Sequence, residues 1–476
     1  MHKCLSLLPV VLTALFACQN GKQEKTDAPA DSSVIRTEIA TGGPIDPFLD
    51  SLQHRSFRYF WNTTDPRTGL TPDRYPSRTF SSIAAIGFGL SSYLVGAERQ
   101  YVSREAAARR TLSTLEYLWQ LPQNGEKVNT AGHKGFYYHF LNFDDGRRYQ
   151  QVELSTIDTG LLLMGVLSAQ VYFGGSDATE TRIRSLADSL YRRVDWPWFA
   201  PRNNILSMGW HPESRQFLES EWKGYNEAML LYVLAFGSPT HPLDATAWQG
   251  WTGTYEWGEF QGQEHLNFAP LFGHQYSHAW IDFRGIQDDY TRAKGIDYFE
   301  NSRRATYANR AYCVANPRKW KDYGPNVWGL TACDGPADVK LFHNGDSVQI
   351  HSYWARGASL QEINDDGTIA PTAAGGAIPF APEICIPALK QMYKQYGDRL
   401  WGEYGFYDAF NPTFTQSPGT ADGWFDTDYL GIDNGPIVLM IENYRSGFLW
   451  NLMKKNPYIV RGLQRAGFRG GWLEGS

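Results

Sequence analysis

The stretch Glu153-Leu154-Ser155-Thr156-Ile157-Asp158-Thr159-Gly160 sets two carboxylic acids ahead of the apolar run Leu161-Leu162-Leu163-Met164. Ser155 and Asp158 have the spacing of a capping box, an N-cap hydroxyl with an acid at the third helical position. Asp158 therefore reads as a cap that satisfies orphan amides and the helix dipole. The same placement lets Glu153 and Asp158 face a cavity and move protons. A second acid sits in Trp222-Lys223-Gly224-Tyr225-Asn226-Glu227-Ala228-Met229, where an apolar helix is expected to begin near Asn226. Glu227 in its first turn would complement the dipole. Beside Trp222, Tyr225 and Met229 it would also lose water, and desolvation raises a carboxyl pKa into the range of a usable general acid. Glu219 and Glu221 border a solvated loop and rank below it.

Two further stretches carry acids among aromatics: Tyr404-Gly405-Phe406-Tyr407-Asp408-Ala409-Phe410-Asn411-Pro412, and Trp424 to Pro436. Pro436 suits a first helical position, which makes Asp433 or Asn434 the expected cap. Glu442 and Arg445 are expected to pair with one another or with a ligand. His274 and His278 are four residues apart, but no Glu follows the first His as a zinc-protease motif requires. A structural or sugar-contacting role is expected there, with no metal site. No phosphate loop and no G-x-S-x-G elbow is present. Acids at helix ends, wrapped in Trp, Tyr and Phe, are the equipment of glycoside hydrolysis: two carboxyls across a scissile bond and flat walls for sugar rings. That chemistry needs no cofactor.

Composition agrees. Aromatics make up 15% of the chain, with 17 Trp and 27 Tyr, and their flat faces with polar edges suit either stacking on sugars or a large core. A net charge of −6 and a pI near 6.0 argue against a nucleic-acid partner. Lys3 followed by the apolar run Leu5 to Phe16 reads as a signal peptide, too short for a membrane span of ~20 residues. Leu15-Phe16-Ala17-Cys18 resembles a bacterial lipobox, which would make Cys18 the lipidated first residue; an ordinary secretory signal is the alternative. Residues 18–41 read as a disordered tether, and 42–476 as the folded domain. The expectation is a monomer in the periplasm or at the cell surface, held to the outer membrane only by that lipid. Cys313, Cys333 and Cys385 form no disulfide framework.

The elements that must position these acids are helices. Apolar periodicity predicts them over Asp46–Trp61, Ser81–Val95, Ser103–Gln120, the run from Leu161 to Phe173, Ala178–Val194, Tyr225–Phe236, Ile296–Ala315, Ile378–Tyr396 and Pro436–Leu452. Helices with little polar surface alternate with charged amphipathic ones, as inner helices ringed by outer ones would. Strand-like runs are short: Leu206–Trp210, Val348–Trp354 and an aromatic wall over Gly135–Leu141. The pattern points to one all-α toroid of paired helices with functional loops at one end, or to a multi-domain α protein.

Several of these stretches, Glu153–Thr159, Gly224–Met229, Gly237-Ser238-Pro239-Thr240-His241-Pro242, Tyr404–Asn411 and Gly431–Tyr444, resemble the bacterial glycoamylase-like domain. Within it they are similar to glycoside hydrolase family 144, the β-1,2-glucanases. The likeness runs from about Pro47 to Phe468. It implies an (α/α)6 barrel and an inverting, endo-acting enzyme that cuts β-1,2-glucan to short sophoro-oligosaccharides; relatives include enzymes that release sophorose from chain ends. The acid of the Gly-Tyr-Asn-Glu stretch falls on Glu227, implying the general acid. For the base, Asp158 comes first, then Glu153 and Asp408. Arg74, His139, Trp222, Tyr225, Asn226, Tyr407 and Asp433 are expected to touch sugar. Asn434 stands where many relatives carry Gln. A non-catalytic glucan-binding lipoprotein and a polysaccharide lyase are the rival readings.

Overall fold

Short polar residues set where the helices start. Asp46, Ser82, Ser103, Ser155 and Asp177 each occupy an N-cap and accept a first-turn backbone N–H on a side-chain oxygen, a bond worth about 1 kcal/mol per helix. The structure, a computed structural model, describes residues 46–475. The expected signal segment, Cys18 and the tether lie outside the described residues.

The α-helices are α1 (Pro47–Thr63), α2 (Ile83–Glu98), α3 (Arg104–Gln120), α4 (Thr156–Tyr172), α5 (Ala178–Arg192), α6 (Met229–Gly237), α7 (Thr246–Thr252), α8 (Asp289–Lys294), α9 (Tyr298–Ala315), α10 (Pro371–Gly375), α11 (Pro382–Leu400), α12 (Gly431–Ser446), α13 (Phe448–Met453) and α14 (Pro457–Arg465). Helices α2, α4, α6 and α12, the short α10 and two 3-10 turns (Leu271–His274 and Ser277–Ala279) are buried on nearly all sides. Helices such as α5 bury one face only, with Ile183, Leu186, Ala187, Leu190 and Tyr191, and so lie outside them.

The inner segments close into a ring. Helix α2 packs against α4 and α12, and α4 against α6. The Ser277 hydroxyl donates to Glu227 O and accepts the Leu230 N–H. Gln275 Nε2 donates to Ala373 O of α10, and Thr372 Oγ1 donates to Asp433 O of α12. The architecture is an (α/α)6 barrel.

The tightest seam of the ring is α2 on α4, and glycine makes it. A Cβ on Gly87 would lie 2.2 Å from Leu161 O, and one on Gly165 would lie 2.2 Å from Gly87 O. Two backbones meet there with no room for a side chain.

Several boundaries differ from the sequence pattern. Helix α6 begins at Met229, so Glu227 sits in the turn ahead of it instead of in its first turn. Helix α12 begins at Gly431, and Pro436 lies inside it; Leu430 occupies the N-cap, so neither Asp433 nor Asn434 caps it. Its start is set by strand pairing of Tyr429–Leu430 with Arg74–Tyr75 and by Gly431 N–H donating to Asp73 O, long-range bonds that local propensity does not register. Glu442 and Arg445 do not pair with each other: Glu442 binds Arg99 and Gln53, and Arg445 binds Asp50 and Gln53. The predicted Ile378–Tyr396 helix is α11, which starts later, at Pro382, and runs on to Leu400. Cys313, Cys333 and Cys385 are free and buried.

A five-stranded antiparallel sheet sits beside the start of α4. Its order is Gly132–His133, Phe136–Tyr138, Leu154–Ser155, Gly209–His211 and Gln216–Phe217. The His139 N–H donates to Glu153 O beyond its end, which aligns the two side chains across the ladder.

The α2–α4 seam yields a first prediction. Gly87→Ala forces backbone apart and should lower unfolding free energy by about 1–3 kcal/mol, as overpacking does. Gly250→Ala, which meets nothing within 4 Å, should leave stability unchanged or raise it. Denaturant unfolding of the two variants checks this; equal stability would refute the close-packed seam.

Candidate active site

The starts of the inner segments converge at one end of the barrel and carry carboxyls on two sides. On the first side, His139 bridges two acids. Its Nδ1 lies 2.9 Å from Glu153 Oε1 and its Nε2 3.5 Å from Asp158 Oδ1. Burial alone would lower the His139 pKa, but Asp158, then Glu153 and Asp73, outweigh it and raise it to about 9. The ring is therefore a cation at neutral pH. Asp158 is 3% exposed. The Ser155 hydroxyl donates to its Oδ2 while accepting the Asp158 N–H. Ser155 is paired on both sides within the sheet, with Tyr137 and Gly209. The hydroxyl, and not the Ser155 backbone amide, meets the carboxylate, so the cap is half of a capping box. Burial raises the Asp158 pKa, with His139 and Ser155 opposing. For Glu153 the burial penalty is overcome by His139, which holds it below the usual carboxylate range.

Glu227 differs from both. It is 6% exposed, and its Oε2 has no hydrogen-bond partner among the described residues. Burial pushes its carboxyl up to about 7; its own backbone amide opposes the shift and the Asp158 charge adds to it. The Asp158 field at Glu227 places both at the same mouth.

The second side is built from loops and α12. Pairing of Phe410–Asn411 with Trp424–Phe425 and the bonds Asp426 N–H to Ala409 O and Asp408 N–H to Asp428 O bring Asp408 and Asp426 together. Asp334 N–H donates to Asp408 Oδ2 at 2.8 Å, and Arg74 NH1 reaches Asp334 Oδ2 at 2.6 Å. Asp408 Oδ1, Asp426 Oδ2, Asp433 Oδ2 and Asn434 Oδ1 are buried acceptors with no donor among the described residues. Burial raises all the acids here. Asp408 rises well above its ordinary range, with Asp433 and Asp334 adding to the shift. Asp426 reaches about 8, raised further by Asp408 and Asp334. Asp433 reaches about 7, with the Asp408 bond opposing and Asp334 and Asp73 adding. Facing carboxyls without donors share protons, as in an aspartic-protease pair. A cavity of about 10 Å³, room for about one water, is lined by Asp408, Asp433, Asn434, Thr372 and Tyr407 among others.

Asp73 and Arg74 link the two sides: Asp73 feels both His139 and Asp334. Oxygens of Asp334, Asp408 and Asp426 lie within 4.8 Å of one another, a spacing a metal ion accepts, but the Arg74 guanidinium already neutralises one edge of that group.

Of the residues expected to touch sugar, Arg74, His139, Tyr407 and Asp433 lie at this mouth. Three turn inward instead. Trp222 donates its indole N–H to Thr156 Oγ1. Tyr225 stacks on Tyr298 with centroids 5.9 Å apart and has 1% of its surface exposed. Asn226 spends its amide on Lys223 O and the Ala228 N–H. Asp334, Asp426 and Tyr353 join the site without having been singled out. Asp426 stood in a quoted acidic–aromatic run; Asp334 follows Cys333 in a loop with no pattern to mark it. His274 and His278 are buried and packed, the latter bonded to Ser302 and driven by burial down to about 3.

Residues 219–457 match the sequence model of the Glycoamylase family, described as "Putative glucoamylase". The exo β-1,2-glucooligosaccharide sophorohydrolase (non-reducing end) of Parabacteroides distasonis is 29% identical over 470 residues, covering 91% of this chain. The chain spans only 60% of that relative's length. A solved Bacteroides fragilis NCTC 9343 protein, described in the family's words, is 33% identical with a TM-score of 0.78, over 91% of this chain and 99% of its own. The endo-β-1,2-glucanase of Chitinophaga pinensis, solved with sophorotriose and glucose, is 29% identical with a TM-score of 0.77, over 89% and 98%.

The bridging imidazolium has a pH signature. Its folded pKa is raised from 6.5 to about 9, so its stabilisation is complete below pH 6.5 and lost as pH rises through 9. Unfolding free energy should fall by on the order of 1–2 kcal/mol across that window, after discounting for partial exposure. In His139→Gln that decline should vanish; an unchanged decline would refute the bridge.

Proposed function

We propose that this chain, which belongs to the Glycoamylase family, is a glycoside hydrolase that cleaves β-1,2-glucan by single displacement. The observation that carries the reading is Glu227: a buried carboxyl with an unpartnered oxygen and a pKa pushed up to about 7. Such a group holds its proton below neutrality and can donate it to a leaving glycosidic oxygen. The second carboxyl must draw a proton from water on the opposite face of the sugar.

Asp158, first in line from the sequence, has one oxygen on the Ser155 hydroxyl and the other beside His139. It suits the task of holding His139 charged. The Asp408–Asp433 pair has free acceptor oxygens beside a water-sized cavity. We assign the base to that pair acting as one unit with one proton. Glu153 serves as the outer anchor of His139. Arg74, fixed by Asp73 and Asp334, and Tyr407 form the wall beside the pair.

The substrate follows from the two β-1,2-glucan-active relatives. The endo mode is supported by this chain's spanning 98% of the Chitinophaga endo-glucanase but 60% of the longer exo relative.

Incubation of the protein with β-1,2-, β-1,3- and α-1,4-glucans should release reducing sugar from the first alone, with mixed short oligosaccharides appearing early. Sophorose as the only early product would overturn the endo mode, and no product would overturn the enzyme. The kcat/KM of the wild type should fall as pH rises through about 7, because Glu227 then loses its proton. Glu227→Gln should lower kcat on the polymer by about 10²–10⁴-fold, the range typical of acid–base groups. A variant with near-full activity would refute the assignment.

A further inference from the structure

One residue of the His274–His278 stretch packs its ring into the core but commits its hydroxyl to no partner among the described residues. Tyr276 lies between the two 3-10 turns of the inner ring, and its neighbours are tied to the two reacting sides. Ser277 is bonded to Glu227 O and Leu230 N at the start of α6. Gln275 is bonded to Ala373 O in α10, whose Thr372 is bonded to Asp433 O. Two adjacent hydrogen-bonded residues thus hold Tyr276 at a fixed place between Glu227 and Asp433. Its ring is locked from below by Phe272, with centroids 5.1 Å apart, and edge-on by Phe88 at 5.7 Å.

The phenol itself has no hydrogen-bond partner among the described residues, although Tyr276 is only 5% exposed. The hydroxyl is not one of the fully buried unpartnered atoms, so it keeps a little accessible surface while the ring is packed. The groups whose charges reach the phenol are Asp433, Glu227 and Asp408, together with the phenol of Tyr353. Tyr353, half exposed at 51%, feels Asp433 and Asp408 from the loop side. Tyr276 is therefore near both the proton donor and the acid pair.

We infer that Tyr276 is a substrate-positioning residue whose hydroxyl binds a hydroxyl of the glucosyl ring spanning Glu227 and the Asp408–Asp433 pair. The phenol is both donor and acceptor. It can accept from a sugar hydroxyl that the acids leave free, or donate to the ring oxygen side, while the locked ring allows it no other target. Tyr276 adds to the site a neutral hydroxyl that donates and accepts at once, beside carboxyls that do so only as they titrate. The inference rests on the reading of Glu227 and the pair as the reacting groups.

Tyr276→Phe tests it. The variant should match or exceed the wild type in melting temperature, since the lost hydroxyl had no partner. Its kcat/KM on β-1,2-glucan should fall about tenfold, the worth of one hydrogen bond of about 1.4 kcal/mol, with most of the loss in KM. A fall in melting temperature matching the fall in activity would make Tyr276 a packing residue, and full activity would leave the hydroxyl without a role; either result overturns the inference. Binding provides a readout without turnover. Short β-1,2-glucooligosaccharides should bind Glu227→Gln measurably, and weaker by about tenfold when Tyr276→Phe is added. Equal binding by both refutes the inference while the glucan reading stands. No binding and no wild-type hydrolysis remove both together.

Discussion

A carboxyl shut away from water without a donor to satisfy it keeps its proton, and the mouth of this barrel is arranged around that constraint. Glu227 is in that state because the turn before α6 offers its carboxyl only its own backbone amide, leaving Oε2 unpartnered in apolar packing within the field of Asp158. Moving it one turn into the helix would give it the free amides and positive dipole end that hold carboxylates ionised. The Ser277 hydroxyl, bound to the Glu227 carbonyl, pins the turn where it is. The acidity of the residue is thus a property of the ring closure and not of the side chain alone.

The rest of the ring serves the same end. Glycine contacts let α2 and α4 approach backbone to backbone, which narrows the inner circle until acids from different helices share one field. The five-stranded sheet and the paired loops then bring in what helices cannot supply: His139 opposite Glu153, Arg74 beside α12, and Asp408 against Asp334. Like charges on the second side raise one another's pKa, and the single guanidinium of Arg74 keeps the group from being wholly protonated.

Much of this was legible in the chain. The alternation of apolar and amphipathic helices announced paired layers, because a helix without a polar face must be buried. Glu227 and Asp158 stood out as acids ahead of apolar runs. What local pattern could not show came from long-range bonds. The early start of α12 depends on Tyr429–Leu430 pairing with a strand more than 350 residues away, so Pro436 misled as a helix opener. Tyr225 looked like a sugar platform because aromatic type says nothing about direction, and its ring turned inward onto Tyr298. Asp334 has no neighbouring motif; only its amide on Asp408 reveals it. Tyr276 was hidden between two histidines that drew attention to metal chemistry.

The central claim is a single displacement in which Glu227 gives a proton and the opposed Asp408–Asp433 pair takes one from water. Proton NMR of the first product formed from β-1,2-glucan reads this directly, before mutarotation mixes the anomers. The new reducing end should appear as the α-anomer. A β-anomer appearing first would mean that a carboxylate attacks the sugar itself, and would contradict single displacement.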